Sequence, residues 1–250
     1  MGSNLATRLR VDTRQSHTIA ENTAFMKCFL KGVVELVPFR HLLANLYLVY
    51  TALEQSLEKH RHTPILSSIY FPELNRKDNL ERDLAFYYGD NWRDQITPLR
   101  AGLVYVNRIY EIAESDPLCL IAHAYTRYMG DLSGGQALKS IVRSAFDLPE
   151  GIGVALYEFE QIPTIEAKRN FKAKYRQTLD DLSLDEEAIA RIITEANYAF
   201  LLNRNVVNEL EIHLRAAIGD HVFELLTKQD RLGSTESAMQ DMPHDAMLSA

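Results

Sequence analysis

A carboxylate among glycines is the first feature of this sequence that could do chemistry. Asp131 lies beside Gly130 and near Gly134 and Gly135 in RYMGDLSGGQALKS, residues 127–140. A buried aspartate is costly unless it is hydrogen-bonded, and each glycine inside a helix costs about 1 kcal/mol relative to alanine. Residues four apart share one side of a helix. The combination favours a flat ligand lying on a glycine floor beside a polar network. Close packing against another helix, or a kink, is the alternative for the glycines.

His17 is a candidate metal ligand. It lies late in the first predicted helix, with Glu21 one turn further on and Arg10 almost two turns before it. Seven helical residues rotate by about 700°, so Arg10 and His17 are expected on one face, roughly 10 Å apart. Glu21 could hold the second nitrogen of a ligating imidazole. A half-exposed helix histidine without a ligand role remains the alternative.

Positive charge is concentrated in AKRNFKAKYR, whose basic residues are Lys168, Arg169, Lys172, Lys174 and Arg176. Lys168, Lys172 and Arg176 follow one line at four-residue spacing, which suits a ligand with two carboxylates at its edge. A solvated helix face is the plainer interpretation of such a run. One histidine ligand, a glycine floor, a buried aspartate and cations for two carboxylates together describe a haem pocket.

Several other classes of function are excluded or disfavoured. A carboxylate-bridged di-iron bundle needs Glu-x-x-His pairs, and no histidine here has glutamate three residues before it. Covalent haem attachment needs C-x-x-C-H, which is absent. The net charge of −7, from 27 basic and 34 acidic residues, argues against general nucleic-acid binding. Cys28 and Cys119 are expected to be buried thiols in a reducing compartment.

The elements that must position these residues are predicted to be helices. Helical periodicity runs through almost the whole chain and strand signals are nearly absent. One all-α domain over residues 1–229 is therefore expected, with an ordered loop at 62–79 and a disordered polar tail at 230–250. No stretch of about 18 apolar residues suggests a membrane anchor, and the start lacks a secretory signal. The predicted helices span about 5–22, 23–33, 39–61, 78–88, 98–113, 118–146, 165–180 and 185–227.

Four segments, taken together, resemble the haem oxygenase family. RYMGDLSGGQ with the preceding AHAYT resembles the distal-helix signature, and HTIAENTAFMKCFLKG the proximal segment. YFPELNRKDNLERDLAFYYG resembles the middle region and AFLLN the last long helix, so the similarity covers roughly residues 4–225. It implies a single-domain multi-helix fold that holds haem b between a proximal and a distal helix. It also implies cleavage of haem by O₂ at a meso carbon, expected to be α, to biliverdin, CO and ferrous iron.

The resemblance also implies roles for individual residues. His17 matches the axial iron ligand, and Asp131 the aspartate that organises distal water. The other matches are Gly130, Ser133, Gly134 and Gly135 for the flexible floor over the haem; Arg10, Lys172 and Arg176 for the propionates; Tyr125 and Phe200 for haem contacts; and Tyr50, Thr126, Arg127 and Asn203 for the distal polar network.

The polar tail resembles soluble cyanobacterial or plastid members rather than membrane-bound ones. These work in the cytoplasm or stroma, take electrons from ferredoxin and pass biliverdin to bilin reductases. A haem carrier or sensor without turnover is the alternative, and it would need no proton relay at Asp131.

Overall fold

The structure is a computed structural model that describes residues 4–228. Every regular element in that range is helical, which confirms the all-α prediction. Within the same range, no helix is both long and apolar enough to cross a membrane. The predicted tail at 230–250 lies outside the described residues. The helices are α1 Leu5–Asp12, α2 Arg14–Glu21, α3 Ala24–Leu30, α4 Leu36–Lys59, α5 Pro64–Ile69, α6 Lys77–Tyr88, α7 Trp92–Gln95, α8 Arg100–Ser115, α9 Leu120–Ser133, α10 Gly135–Ala145, α11 Ile165–Asp180, α12 Glu186–Glu209, α13 Glu211–Ile218 and α14 Asp220–Thr227, with 3₁₀ turns at Pro72–Leu74, Pro117–Cys119 and Ala155–Tyr157.

Two long helices, α4 and α12, organise the core. α4 packs against α6 and α8, and α12 packs against α2, α8 and α9. In α4 the buried residues Leu43, Tyr50, Leu53 and Leu57 recur at steps of seven, three and four, which places them on one face. α9 lies between the two long helices and also contacts α11. The fold therefore surrounds α9, which carries the distal motif, with elements from distant parts of the chain.

Three of the predicted helices are interrupted. The first breaks at Thr13, whose hydroxyl donates to the Leu9 carbonyl at 2.6 Å, a local bond that bends helices. The helix predicted at 118–146 breaks at Gly134, which keeps helical angles (φ −76°, ψ −22°), so this break is a kink. The last predicted helix breaks at Leu210 and again at Gly219, whose φ of 81° ends α13. The loop predicted at 62–79 contains α5 and a 3₁₀ turn before α6 begins.

Two buried carboxylates hold chain segments that contact the distal region. Glu54 of α4 accepts hydrogen bonds from the backbone N–H groups of Arg76 and Lys77 at the start of α6. Asp83 of α6 accepts from the N–H groups of Ala155 and Leu156, both at 2.8 Å. Burial raises the pKa of Glu54 to about 7 and that of Asp83 to about 6. The hydrogen bonds to Asp83 fix the 3₁₀ turn 155–157, whose Tyr157 ring packs beside Gly135 at the kink.

Candidate functional site

Three helices build a buried polar network around Asp131. The Tyr50 hydroxyl, from α4, donates to Oδ2 of Asp131. Arg127, one turn before Asp131 on α9, donates from Nε to the Tyr50 oxygen at 3.2 Å. Its other nitrogens reach Oδ1 of Asp131 at 3.6 Å and Oδ1 of Asn203, from α12, at 2.7 Å. The structure therefore brings together Tyr50, Arg127, Asp131 and Asn203, as the resemblance implies.

The electrostatics of this network leave one oxygen of Asp131 available. Burial raises the pKa of Asp131, and the Arg127 charge and the Tyr50 hydrogen bond oppose that rise. The 3.6 Å approach of Arg127 to Oδ1 is an ion-pair contact and is too long for a hydrogen bond. Oδ1 can therefore accept a hydrogen bond from a water molecule while Oδ2 is held by Tyr50.

Thr126 is placed differently from the prediction. Its side chain is buried, and its hydroxyl donates to the Ala122 carbonyl of its own helix at 2.8 Å. The structure does not connect this hydroxyl to the network around Asp131.

The glycines of the distal motif have different environments. Gly130 is exposed on α9, and a Cβ built there would meet nothing within 4 Å. Gly135 is buried, and a Cβ there would lie 3.2 Å from Cδ1 of Tyr157. Gly134 occupies the kink between α9 and α10. An open face therefore accounts for Gly130, whereas close packing accounts for Gly135 and a kink for Gly134.

His17 lies on α2 with its side chain 48% exposed. Its Nδ1 is 3.5 Å from the Glu21 carboxylate, and this contact leaves Nε2 available as a ligand. The imidazole meets Phe200 of α12 edge to face, with ring centroids 5.5 Å apart. Residues 4–228 contain no group of three or more histidine, cysteine or acidic side chains that could hold a metal ion. An exposed, oriented single histidine suits an iron that brings its other ligands with it, as haem does.

The predicted propionate residues lie around Tyr125. Burial raises the pKa of Tyr125, and the positive charges of Arg176 and Arg10 lower it, so both guanidinium groups lie near this ring. Arg10 and Arg176 are exposed. Lys172 lies 3.5 Å from the Ser133 hydroxyl at the end of α9; burial lowers its pKa and Arg176 lowers it further. The break at Thr13 places Arg10 on α1 and His17 on α2, so the single helix predicted to carry both is two helices.

Lys168 departs from the predicted line of solvated cations. Only 7% of this residue is exposed, and its Nζ donates to Oε1 of Gln136 at 3.0 Å. The interpretation of Lys168 as part of an exposed basic face is therefore wrong. Its neighbours Arg169 and Lys174 are exposed.

Two buried residues that the sequence did not indicate interact electrostatically with Asp131. Arg76 is buried, and its positive charge opposes the rise of the Asp131 pKa. Tyr105 of α8 is buried, and its hydroxyl has no hydrogen-bond partner among the described residues. Burial raises the pKa of Tyr105 to about 12. No local motif marks either residue, because each reaches the site from a distant segment.

Comparison with known proteins shows which family the chain belongs to. A family model described as heme oxygenase matches residues 3–209. The chain is 60% identical to heme oxygenase 2 of Synechocystis sp. PCC 6803, covering 94% of both chains. It is 54% identical to heme oxygenase 1 of Nostoc sp. PCC 7120, covering 95% of this chain and 99% of the relative.

A solved structure extends the match to three dimensions. The crystal structure of the Synechocystis heme oxygenase-2 in complex with heme and NO superposes with a TM-score of 0.91, covering 94% of this chain and 96% of that one. The family match over most of the chain and relatives at more than half identity show that this chain belongs to the haem oxygenase family.

Proposed function

We propose that this haem oxygenase holds haem b between α2 and α9, with His17 as the axial ligand and Asp131 as the residue that orders distal water. The family reaction is the oxidative cleavage of haem to biliverdin. The observation that carries the assignment of residues is the buried network of Asp131, Tyr50 and Arg127 beside the open face at Gly130. A network of this kind is needed to handle protons, whereas haem storage needs none.

The proximal side orients one ring nitrogen. Nδ1 of His17 faces the Glu21 carboxylate at 3.5 Å, which turns Nε2 toward the proposed haem site. The edge-to-face contact with Phe200 limits rotation of the imidazole. When bound, haem supplies both the iron that activates dioxygen and the ring carbon that is oxidised.

The distal side holds a proton donor at a fixed place. A water bound at Oδ1 of Asp131 donates one hydrogen to that oxygen and points the other toward the haem face. Burial raises the pKa of Asp131, and the Arg127 charge and the Tyr50 hydrogen bond oppose that rise, while Oδ1 remains the oxygen that can accept from water. Gly130 exposes backbone without a side chain, so the ring can approach α9 closely.

The exposed edge orients the substrate. Lys172 binds one propionate, and Arg10 and Arg176 bind at the same edge near Tyr125. Because these cations come from two helices, they fix the rotation of the haem in its own plane. We propose that this rotation directs cleavage to the α-meso carbon.

Reduced ferredoxin is the proposed electron donor, and bilin reductases are the proposed recipients of biliverdin. Arg169 and Lys174 are exposed on α11 beside the propionate cations, and they give an acidic donor a positive face on a protein of net charge −7. The cyanobacterial relatives support a cytoplasmic or stromal location.

The docking role has a direct test. Arg169→Glu/Lys174→Glu should slow ferredoxin-driven turnover, most at low salt where screening is weak. Turnover driven by ascorbate, a small donor that needs no docking face, should change far less. Equal slowing with both donors would remove the docking role from this surface.

Turnover itself separates the enzyme from a haem carrier. Purified protein with haem and a reductant in air should lose its Soret band and form blue-green biliverdin. A persistent Soret band under these conditions would favour the carrier.

A further inference from the structure

Lys168 is a buried cation that the proposed mechanism does not use. Lysine is seldom fully buried unless it is paired, and this residue is only 7% exposed. Burial lowers its pKa, Lys139 and Lys172 lower it further, and the Glu158 carboxylate raises it. Its hydrogen-bond acceptor is the side-chain oxygen of Gln136, at 3.0 Å. A buried lysine whose ammonium group donates to a neutral amide oxygen is costly for folding, and the contact holds that amide in place.

Gln136 lies in the first turn of α10, immediately after the kink. Its Nε2 donates to the Tyr157 carbonyl at 2.9 Å, and the Tyr157 ring lies against Gly135. The 3₁₀ turn that contains Tyr157 is itself held by Asp83. The start of α10 is therefore tied on one side to α11 through Lys168 and on the other to a fixed turn.

The last residue of α9, next to the kink, is held more loosely than Asp131, which Tyr50 fixes two residues earlier. Ser133, the last residue of α9, contacts Lys172 at 3.5 Å, the limit of a hydrogen bond. Lys172 is also a proposed propionate ligand, so haem would compete for the same ammonium group. Gly130, one turn earlier, has open space on its side-chain face. The two sides of the kink thus differ in how firmly they are fixed.

We propose that Lys168 is a positioning residue that anchors α10 through Gln136, so that the distal floor moves at Ser133 and Gly134, on the α9 side of the kink, when haem enters and biliverdin leaves. This inference rests on the proposed haem site, but the anchor itself is a property of the protein without haem. It assigns the two lysines of α11 different tasks: Lys168 holds the fixed side of the kink, and Lys172 exchanges Ser133 for a propionate.

Hydrogen exchange of the haem-free protein tests the anchor independently of the haem site. Lys168→Met removes the ammonium group and keeps the aliphatic stem, so exchange in peptides covering the first turn of α10 should accelerate about tenfold. The midpoint of global unfolding should stay level or rise, because a buried charge is lost.

Gln136→Leu should accelerate exchange in the first turn of α10 to the same extent. The double variant should exchange little faster than either single variant, and Lys168→Arg should restore most of the protection. Lys59→Met is the control. It removes a lysine of α4 that pairs with Glu114 of α8, and it should leave exchange in α10 unchanged.

Haem release provides the second readout. Transfer of haem to an acceptor globin should be faster by a similar factor in Lys168→Met and in Gln136→Leu. Unchanged exchange in α10 would overturn the anchor. Faster haem release in Lys168→Met but not in Gln136→Leu would also overturn it, because Lys168 would then contact the haem directly. If exchange in α10 became faster in these variants but haem did not bind at α9, the proposed function would fail and the anchor would stand.

Discussion

Gly130→Ala should separate folding from haem chemistry at the distal floor. The residue lies inside α9, and an added methyl group would meet no atom within 4 Å. Alanine is favoured over glycine in a helix by about 1 kcal/mol, so the haem-free variant should be more stable than the wild type. For a chain of this size, that gain corresponds to a rise of about 2–4 °C in the unfolding midpoint.

The same methyl group should impair turnover. It projects from the face that we assign to the haem, and misplacing a reacting group by about 1 Å can cost on the order of 10²-fold in rate. Biliverdin formation with ascorbate as the donor should therefore fall by at least tenfold, while calorimetry of the haem-free protein shows no damage to the fold. A stabilised variant with wild-type turnover would show that Gly130 does not face the ligand.

Gly135→Ala is the matched comparison. Its added methyl group would lie 3.2 Å from the Tyr157 ring, so the turn that Asp83 holds must shift to admit it. This variant should lower the unfolding midpoint of the haem-free protein, which is the opposite sign to Gly130→Ala. If both variants shifted the midpoint in the same direction, the different environments that we assign to the two glycines would be wrong.

Three further predictions concern the network, the propionates and pH. Asp131→Ala, tested beside Asp131→Asn, should still bind haem but lower the yield of biliverdin by about 10²-fold; an unchanged yield would remove the proton-handling role. Changing Lys172 or Arg176 to alanine should alter the ratio of biliverdin isomers with either donor, which chromatography of the product would detect. Burial raises the pKa of Glu54 from 4.5 to about 7, so the folded state keeps a proton that the unfolded chain releases. The free energy of unfolding should therefore fall as pH rises through that window, and Glu54→Gln should flatten the fall in denaturant titrations.

The distal motif could be interpreted from local sequence because its chemistry is local. Arg127 and Asp131 are one helical turn apart, and Gly130, Gly134 and Gly135 all lie within six residues of the chain. The partners of Asp131 could not be found in this way: Tyr50 and Asn203 come from other helices, and only the family resemblance indicated them. Thr126 shows the limit of the resemblance, since its hydroxyl bonds to its own helix.

The helix breaks and the burial of Lys168 depend on contacts between distant segments. The break after Asp12 is accompanied by a hydrogen bond from the Asn197 side chain of α12 to the Asp12 carbonyl, at 3.3 Å. Periodicity within α1 and α2 carries no sign of that partner. Lys168 likewise shares its spacing with Lys172, but it is buried and contacts Gln136 of α10.

The identity of the axial ligand is tested most directly by resonance Raman spectroscopy of the haem complex of His17→Ala. The reduced wild-type complex should show an iron–histidine stretching band, and the variant should lose it together with turnover. Added imidazole should restore an iron–imidazole band and part of the activity, because the ring would enter the space that His17 leaves beside Phe200. A variant that kept the wild-type band and rate would contradict the assignment of His17, and with it the position of the haem between α2 and α9.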